Sequence, residues 1–360
     1  REGNGLDKLS QARMKINDID ARIAPLFEER MRAVEEVIAY KLENGLPIFD
    51  AAREDAVIER NLSRIEKEAY RPYYADFLRD VMRVSKQYQR SLVSAGTVAY
   101  QGAEGAYAFI ALKKLFPHQT ARSYETWEDV FAAVENGDAA CGVVPFENSY
   151  TGEVGEVLDL LYRHGIYIRE IYDLPIRHYL LAVPGASLSE IRQVYSHPQA
   201  LSQCRAFLEP YRFEQIPYLN TAVAAEYVAK SKDRTKAAIA SKETAELYGL
   251  QVLKENINTS KENTTRFIVI SREPGRSGNR FSLLFTLRHD AGQLAAVMQV
   301  IAQNGFNMEC IRSKSMRDLP WQYYFYVEIV GDAASEEAKA MIRQIEPLCT
   351  RLKILGAYIK

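Results

Sequence analysis

The sequence predicts a multidomain chain of three successive architectures. Residues 1–94 read as all-α, residues 97–272 as a two-lobed α/β segment, and residues 279–360 as a small βαββαβ sandwich of ferredoxin-like type. Three observations carry this. Residues 6–43 contain no glycine and repeat apolar side chains every seven positions, the pattern of a long helix with one buried seam. Residues 97–270 alternate short apolar runs with amphipathic stretches, the order of βαβ units. From residue 281 the signals run strand, helix, strand, strand, helix, strand.

At 360 residues the chain can build two or three cores. A net charge of −1 with 26% charged residues offers neither a basic face for nucleic acid nor a cationic one for a membrane. No apolar run approaches the length of a membrane span. Cys141, Cys204, Cys310 and Cys349 are scattered without a Cys-x-x-Cys spacing, which suits free thiols in a reducing cytosol and a cytoplasmic location. No signal-peptide pattern opens the chain. It begins at Arg1 rather than a methionine, so a removed leader stays an open question.

In the first segment Leu9, Ile16, Ile23 and Val37 mark the heptad, with Ala12, Ile19, Leu26 and Ala33 at the second seam position. Pro25 should bend or strain one turn. Arg30 stands in the seam between Ile23 and Val37, where a charge needs a partner, and no acid occupies an obvious seam site. Arg13 and Lys41 lie near the same stripe. After a turn at Asn44-Gly45-Leu46-Pro47, a second helical stretch carries Asp50, Arg53 and Glu54. A third, residues 73–92, has Phe77, Val81, Val84, Tyr88 and Leu92 as its apolar stripe, and Ser85 and Gln89 as i,i+4 neighbours beside it. Taken singly, each of these polar residues is more often a solvated helix-surface side chain.

Together they resemble the all-helical chorismate mutase family. The resemblance implies that Arg13 and Arg30 hold the carboxylates of chorismate. Lys41 and Gln89 would donate to the ether oxygen, Glu54 would contact the ring hydroxyl, and Asp50 and Ser85 would complete the polar shell. Such a rearrangement is unimolecular and builds negative charge on the ether oxygen, so it asks only for restraint and placed charge. One straight helix cannot deliver all three cations to one substrate. At about 1.5 Å rise per residue, Arg13 lies about 25 Å from Arg30 and about 42 Å from Lys41, against a ligand on the order of 10 Å long. Arg30 and Lys41 can converge; Arg13 must then come from an antiparallel partner chain. A homodimer or higher homo-oligomer is the expectation.

The middle segment starts with a strand at residues 97–100, and the loop Gly102-Ala103-Glu104-Gly105 opens a helix, where backbone N–H groups can meet a carboxylate. A strand at residues 140–144 leads into Pro145-Phe146-Glu147-Asn148-Ser149 and then a helix at residues 154–164. A second alternating run from residue 174 contains Tyr195-Ser196-His197-Pro198-Gln199, with Gln203 at the start of the next helix. Asn263-Thr264-Thr265-Arg266-Phe267 then opens an apolar strand. This order predicts open, mostly parallel sheets with a ligand cleft at strand ends, with Thr265 where the chain returns to the first lobe. His197, followed by a proline, reads as turn-shaping.

The combination resembles the prephenate dehydratases over about 175 residues. It implies that Thr265 addresses the leaving hydroxyl, that Asn148, Ser196 and Gln203 line the prephenate pocket, and that Arg266 supports it. Thr265, Lys41, Gln89 and Glu54 are thus the expected catalytic groups of the two reactions. A free threonine is a poor acid, so Thr265 must work inside a hydrogen-bond network. One departure stands out. Where the family usually has Gly-Pro-x-Gly-Thr-Tyr-Ser, this chain has Gly102-Ala103-Glu104-Gly105-Ala106-Tyr107-Ala108, lacking two hydroxyls and leaving the dehydratase rate open.

The last segment resembles the ACT regulatory domain that follows the dehydratase in this family, including Pro320-Trp321 ahead of its third strand. Members that respond to L-phenylalanine typically carry Gly-Ala-Leu and Glu-Ser-Arg-Pro motifs. Here these become Gly292-Gln293-Leu294 and Arg312-Ser313-Lys314-Ser315. Arg312 and Lys314 would repel an effector's ammonium group unless an acid such as Glu309 or Asp318 compensates, so the expectation is weak or altered phenylalanine binding at Gly292, Leu294, Arg312 and Ser313. A domain that only joins subunits is the alternative.

Nearly the whole chain therefore resembles the bifunctional chorismate mutase/prephenate dehydratases. The resemblance implies chorismate and prephenate as substrates, no metal and no cofactor. Two alternatives stay open: a non-enzymatic sensor of an aromatic metabolite that signals through its helical arm, and arogenate as the second substrate.

Overall fold

A computed structural model describes residues 3–44, 51–93, 96–260, 262–316 and 323–360. It divides into two compact units, Arg1–Val93 and Ser94–Lys360. Among the described residues the first holds three α-helices, α1 (Gly3–Glu43), α2 (Ala51–Leu62) and α3 (Arg71–Val93). α1 is continuous through Pro25. Its predicted seam is not buried within one chain: Leu9, Ile16, Ile19, Ile23, Leu26 and Val37 are all exposed, Ile16 by 55%. The apolar core of this unit is small, formed by Ile58, Ala75 and Met82 with Val57, Leu62 and Leu78 against it. Asp50 lies outside the described residues.

The second unit runs β1 (Val98–Gln101), α4 (Tyr107–Leu115), β2 (Ala121–Tyr124), α5 (Trp127–Asn136), β3 (Cys141–Asn148), β4 (Gly152–Glu153), α6 (Gly155–Arg163) and β5 (Tyr167–Pro175). It crosses to a second lobe with β6 (Tyr179–Ala182), β7 (Gln193–Ser196), α7 (Pro198–Gln203), α8 (Arg205–Leu208), β8 (Glu214–Pro217), α9 (Thr221–Ser231), β9 (Lys236–Ala240), α10 (Lys242–Tyr248) and β10 (Gln251–Lys254). It then returns as β11 (Thr264–Ser271). The first sheet has the order β2-β1-β3-β11-β5, with β4 on β3, and the second the order β10-β6-β9-β7-β8.

The two lobes with Thr265 on the returning strand agree with the expectation; the strand directions do not. β11 inserts antiparallel between β3 and β5, and in the second sheet β6 lies antiparallel to both β9 and β10. Both sheets are mixed rather than mostly parallel, because each is completed by a strand arriving from the other lobe or leaving for it. β3 also extends further than predicted, so that Pro145 to Asn148 belong to the strand and pair with β11.

The remaining elements are β12 (Arg280–Thr286), α11 (Gln293–Gln303), β13 (Asn307–Ser315), β14 (Tyr323–Val330), α12 (Glu336–Ile345) and β15 (Arg351–Tyr358). They make an antiparallel sheet of order β13-β14-β12-β15, the predicted βαββαβ arrangement. Phe281, Leu283, Phe285, Val327 and Ile329 form one core with Val297 and Ile301 of α11 and Met341 and Ile345 of α12. On the other side Leu284, Tyr324, Tyr326 and Leu355 share a core with Val130, Leu158 and Leu161 of the first lobe. Backbone contact tightens that junction. Gly275 N donates to Ile168 O at 3.0 Å and Ala357 N to Gly275 O at 2.7 Å. A Cβ on Gly356, whose φ is +148°, would fall 1.9 Å from Ile168 O, so only glycine fits. Pro320-Trp321 and Asp318 lie outside the described residues.

Among the described residues no helix is long and apolar enough to cross a membrane, and all four cysteines are free.

Candidate active sites

In the helical unit the structure gathers polar groups from all three helices. Arg30 of α1 donates through Nη1 to Ser85 Oγ of α3, and Ser85 itself donates to Val81 O at 2.8 Å. Burial lowers the Arg30 pKa. Among the described residues it meets a neutral hydroxyl and no carboxylate within ion-pair distance. Glu54 of α2 pairs with Lys86 at 3.1 Å, a lysine the sequence reading had not singled out. Gln89, 8% exposed, keeps Oε1 buried without a hydrogen-bond partner among the described residues. Lys41 is half-buried on the last turn of α1. Arg13 is exposed and, by helix rise, lies far from the Arg30 cluster.

The second unit places Thr265 and Asn148 directly opposite on paired strands. Asn148 Nδ2 donates to Thr265 Oγ1 at 2.8 Å and to Asn263 Oδ1 at 2.9 Å. Its Oδ1 accepts from the backbone N–H of Tyr150 at 2.9 Å and of Thr151 at 3.1 Å. These acceptances fix which end of the amide faces Thr265. With its oxygen lone pair engaged by Asn148, Thr265 retains its own proton for donation elsewhere. Arg266 is committed: it grips Asp173 with two bonds of 2.8 and 3.0 Å and lies 3.9 Å from Glu147. The bond to Asp173 raises its pKa, so it braces the strand pair. Ser196 is fully buried and donates to Ile239 O at 2.7 Å, which spends its proton on the sheet. His197 caps α7, accepting from Gln199 N at 3.3 Å, in line with the expected turn-shaping role.

Gln203 of α7 is held by a residue the sequence reading missed. His178 Nε2 lies 2.8 Å from Gln203 Oε1, and His178 Nδ1 lies 2.9 Å from the Tyr107 hydroxyl. His178 is 1% exposed, and burial lowers its pKa. The signal available was local: a histidine between the strand-ending Pro175 and the apolar run 179–183, where a polar ring must find partners. Gly102 to Ala108 brings Tyr107 into this network. Ala106 caps α4 without a side-chain bond, the structural consequence of the missing hydroxyl.

Of the effector candidates, Gly292 begins α11 with φ +83° and open space around it, and Leu294 packs against the helix-side core. Ser313 and Arg312 take opposite faces of β13, opposite Phe325 and Tyr326 respectively, so Arg312 is turned away from the helices. It bonds Glu147 at 2.7 Å, lies 3.6 Å from Glu153, and stands over the rings of Phe146 and Tyr326. Lys314 bonds Asp159 at 2.7 Å. The compensating acids are thus these three; Glu309 is taken by Arg280 and Lys360. The predicted repulsion of an ammonium group loses its basis, since both cations are neutralised across the domain junction.

Comparison with known proteins follows the same division. The sequence model of chorismate mutase type II matches residues 12–90, and that of prephenate dehydratase matches residues 98–275. A bifunctional chorismate mutase/prephenate dehydratase of Aquifex aeolicus (strain VF5) is 31% identical over 363 residues, covering 99% of each chain. Among solved structures, the prephenate dehydratase of Arthrobacter aurescens in complex with L-Phe is 26% identical with a TM-score of 0.66, over 73% of this chain and 90% of that one. A protein described as GqqA, a novel type of quorum quenching acylase, is 29% identical with a TM-score of 0.68, over 73% and 97%. With both family models matched in order and a relative aligned end to end, the chain belongs to the bifunctional chorismate mutase/prephenate dehydratase family.

Proposed function

We propose that the chain makes phenylpyruvate for phenylalanine biosynthesis in two steps. Residues 1–94 rearrange chorismate to prephenate, residues 97–272 decarboxylate and dehydrate prephenate, and residues 279–360 form an ACT regulatory domain. The observation that carries the reading is the end-to-end match to a relative of that bifunctional name.

For the mutase, the supporting feature is Arg30, a half-buried guanidinium opposite a neutral hydroxyl, which the carboxylate of a dianion would complete. Gln89, Lys41 and Glu54 are the groups we assign to the ether oxygen and ring hydroxyl, with Asp50 and Ser85 at the margin. Arg13 reaches a partner's site, and the exposed stripe of α1 from Leu9 to Val37 is the surface of that homodimer. An apolar stripe of this length on a monomer needs covering.

For the dehydratase, electrons of the departing carboxylate move into the ring as CO2 leaves, the ring aromatises, and the C–O bond breaks. The leaving oxygen takes a proton and departs as water. We assign that proton to Thr265 Oγ1, whose lone pair is occupied by Asn148 Nδ2 at 2.8 Å, so that its O–H is oriented outward. Gln203 Nε2, buried without a partner among the described residues, is a donor for the substrate's carboxylate; Ser196 and Arg266 hold the frame. The likeness to GqqA raises acyl transfer, for which Cys204 and Ser196 are poor nucleophiles. The Cys204 thiol is buried and pushed up to about 12, and the Ser196 hydroxyl is spent on a backbone carbonyl.

L-phenylalanine is the proposed effector, docking at the Gly292 and Leu294 end of α11 beside Ser313, with Arg312 relaying to Glu147. Four free cysteines favour a cytoplasmic setting. Incubating the protein with chorismate and reading phenylpyruvate absorbance in alkali tests the proposal, and arogenate run beside prephenate decides the second substrate. Calorimetry with phenylalanine tests the effector.

A further inference from the structure

We infer that His178 is a positioning residue of the dehydratase reaction, setting the side-chain amide of Gln203 so that its N–H2, and not its carbonyl, meets the substrate. The inference rests on the dehydratase reading above.

His178 lies on one of the two segments that cross between the lobes, from Pro175 at the end of β5 to Tyr179 at the start of β6. The other crossing, from Lys254 to Thr264, holds it in place. Asn258 Oδ1 accepts from His178 N at 2.6 Å, and Ile257 N donates to His178 O at 2.9 Å. The same segment holds Gln203, whose backbone carbonyl accepts from Thr259 N at 2.7 Å. The ring therefore bridges the two lobes. Its Nδ1 faces Tyr107 on α4 of the first lobe, and its Nε2 faces Gln203 on α7 of the second.

Burial lowers the His178 pKa, so the imidazole is neutral near pH 7 and carries one N–H. Gln203 Oε1 at 2.8 Å from Nε2 accepts that hydrogen. Nδ1 is then the lone-pair side, and the Tyr107 hydroxyl donates to it at 2.9 Å. The chain Tyr107 to His178 to Gln203 thus runs in one direction and ends on the Gln203 nitrogen. That nitrogen is buried and has no partner among the described residues, and Gln203 is only 6% exposed. A buried, unspent donor is costly, and a ligand oxygen relieves it. The reversed chain would have Gln203 donating to Nε2, Nδ1 donating to Tyr107, and Tyr107 donating to Arg177 O at 3.1 Å. It would present a carbonyl oxygen to a substrate that carries two carboxylates, which is repulsive. Substrate chemistry selects the first direction, and His178 Nε2–H holds it.

Two substitutions separate this from packing. His178→Gln places an amide nitrogen near the original Nε2 and keeps a donor for Gln203. His178→Asn reaches only as far as the original Nδ1 and keeps the Tyr107 side alone. Both remove the ring, so a merely structural role costs them alike, and urea midpoints of the two proteins report that cost. With the full chain and prephenate, His178→Asn is expected to raise KM at least about tenfold, the loss of one hydrogen bond to a charged ligand. The effect on kcat should be smaller, as for binding shared by ground and transition states. His178→Gln is expected to stay within about threefold of wild type, a difference of under one such bond. Equal KM increases in both variants, or an unchanged KM in His178→Asn, would overturn the assignment. A wild-type chain inert toward prephenate would overturn the dehydratase reading, and this assignment with it.

Discussion

Replacing Thr265 by valine isolates the proposed proton donor. The change keeps a β-branched side chain of nearly equal volume on strand β11 and deletes one hydroxyl. Its structural cost is bounded by what Asn148 loses. Asn148 Nδ2 gives up the 2.8 Å bond to Thr265 Oγ1 but keeps Asn263 Oδ1 at 2.9 Å and Thr264 O at 3.2 Å. No buried donor is orphaned, so the loss is about 1 kcal/mol. Removal of a positioned general acid costs about 10²- to 10⁴-fold in rate, or about 2.7–5.4 kcal/mol of barrier at 1.36 kcal/mol per tenfold. The catalytic effect therefore exceeds the structural one severalfold. The assay follows phenylpyruvate from prephenate at saturating substrate, with chorismate consumption by the same preparation as internal control. Thr265→Ser, which restores a hydroxyl, should recover most of the rate. A Thr265→Val protein within tenfold of wild type would refute the proton-donor role, and loss of both activities in a folded variant would refute the separation of the two sites.

Three other outcomes follow from named contacts. Ala106→Ser supplies the missing side-chain cap of α4 and should stabilise the second unit by about 1 kcal/mol, read as a higher denaturant midpoint. Glu309, bonded to Arg280 and Lys360, is held down to about 2. Its contribution is present above the ordinary carboxylate value of 4.5 and is lost as pH falls toward 2, so Glu309→Gln should flatten the acid limb of stability between those limits. Arg13→Ala and Lys41→Ala, each inactive as a mutase, should regain about a quarter of wild-type turnover when co-refolded in equal amounts, because half the dimers are mixed and one of their two symmetric sites is intact; no recovery would contradict the shared site.

Much of this architecture was legible in the chain, for reasons that differ by region. The heptad of residues 9–37 announces a long helix, yet its exposed Ile16 and Ile23 show why periodicity alone left the partner unspecified: a stripe is written in one chain and can be covered by another. The alternation over residues 97–270 marked every lobe, while strand direction went wrong. Nothing local in Phe267-Ile268-Val269-Ile270 says that it enters antiparallel between β3 and β5. Thr265 and Asn148 could be named from their motifs, and their 2.8 Å bond gives that pairing a physical basis. His178 carried only a faint local signal, since its partners Tyr107 and Gln203 are 71 and 25 residues away and meet it only where the lobes join. The same distance hid the acids of Arg312 and Lys314, which lie at Glu147 and Asp159 on the dehydratase side.

The central claim is that one chain carries two consecutive, separable active sites, and complementation between two damaged copies tests it most directly. Lys41→Ala should leave chorismate unconverted yet turn added prephenate into phenylpyruvate, and Thr265→Val should convert chorismate and stop at prephenate. Mixed without refolding and given chorismate alone, the two proteins should together release phenylpyruvate, with prephenate passing through solution between them. Both variants active in their remaining step but no phenylpyruvate from the mixture would contradict the account.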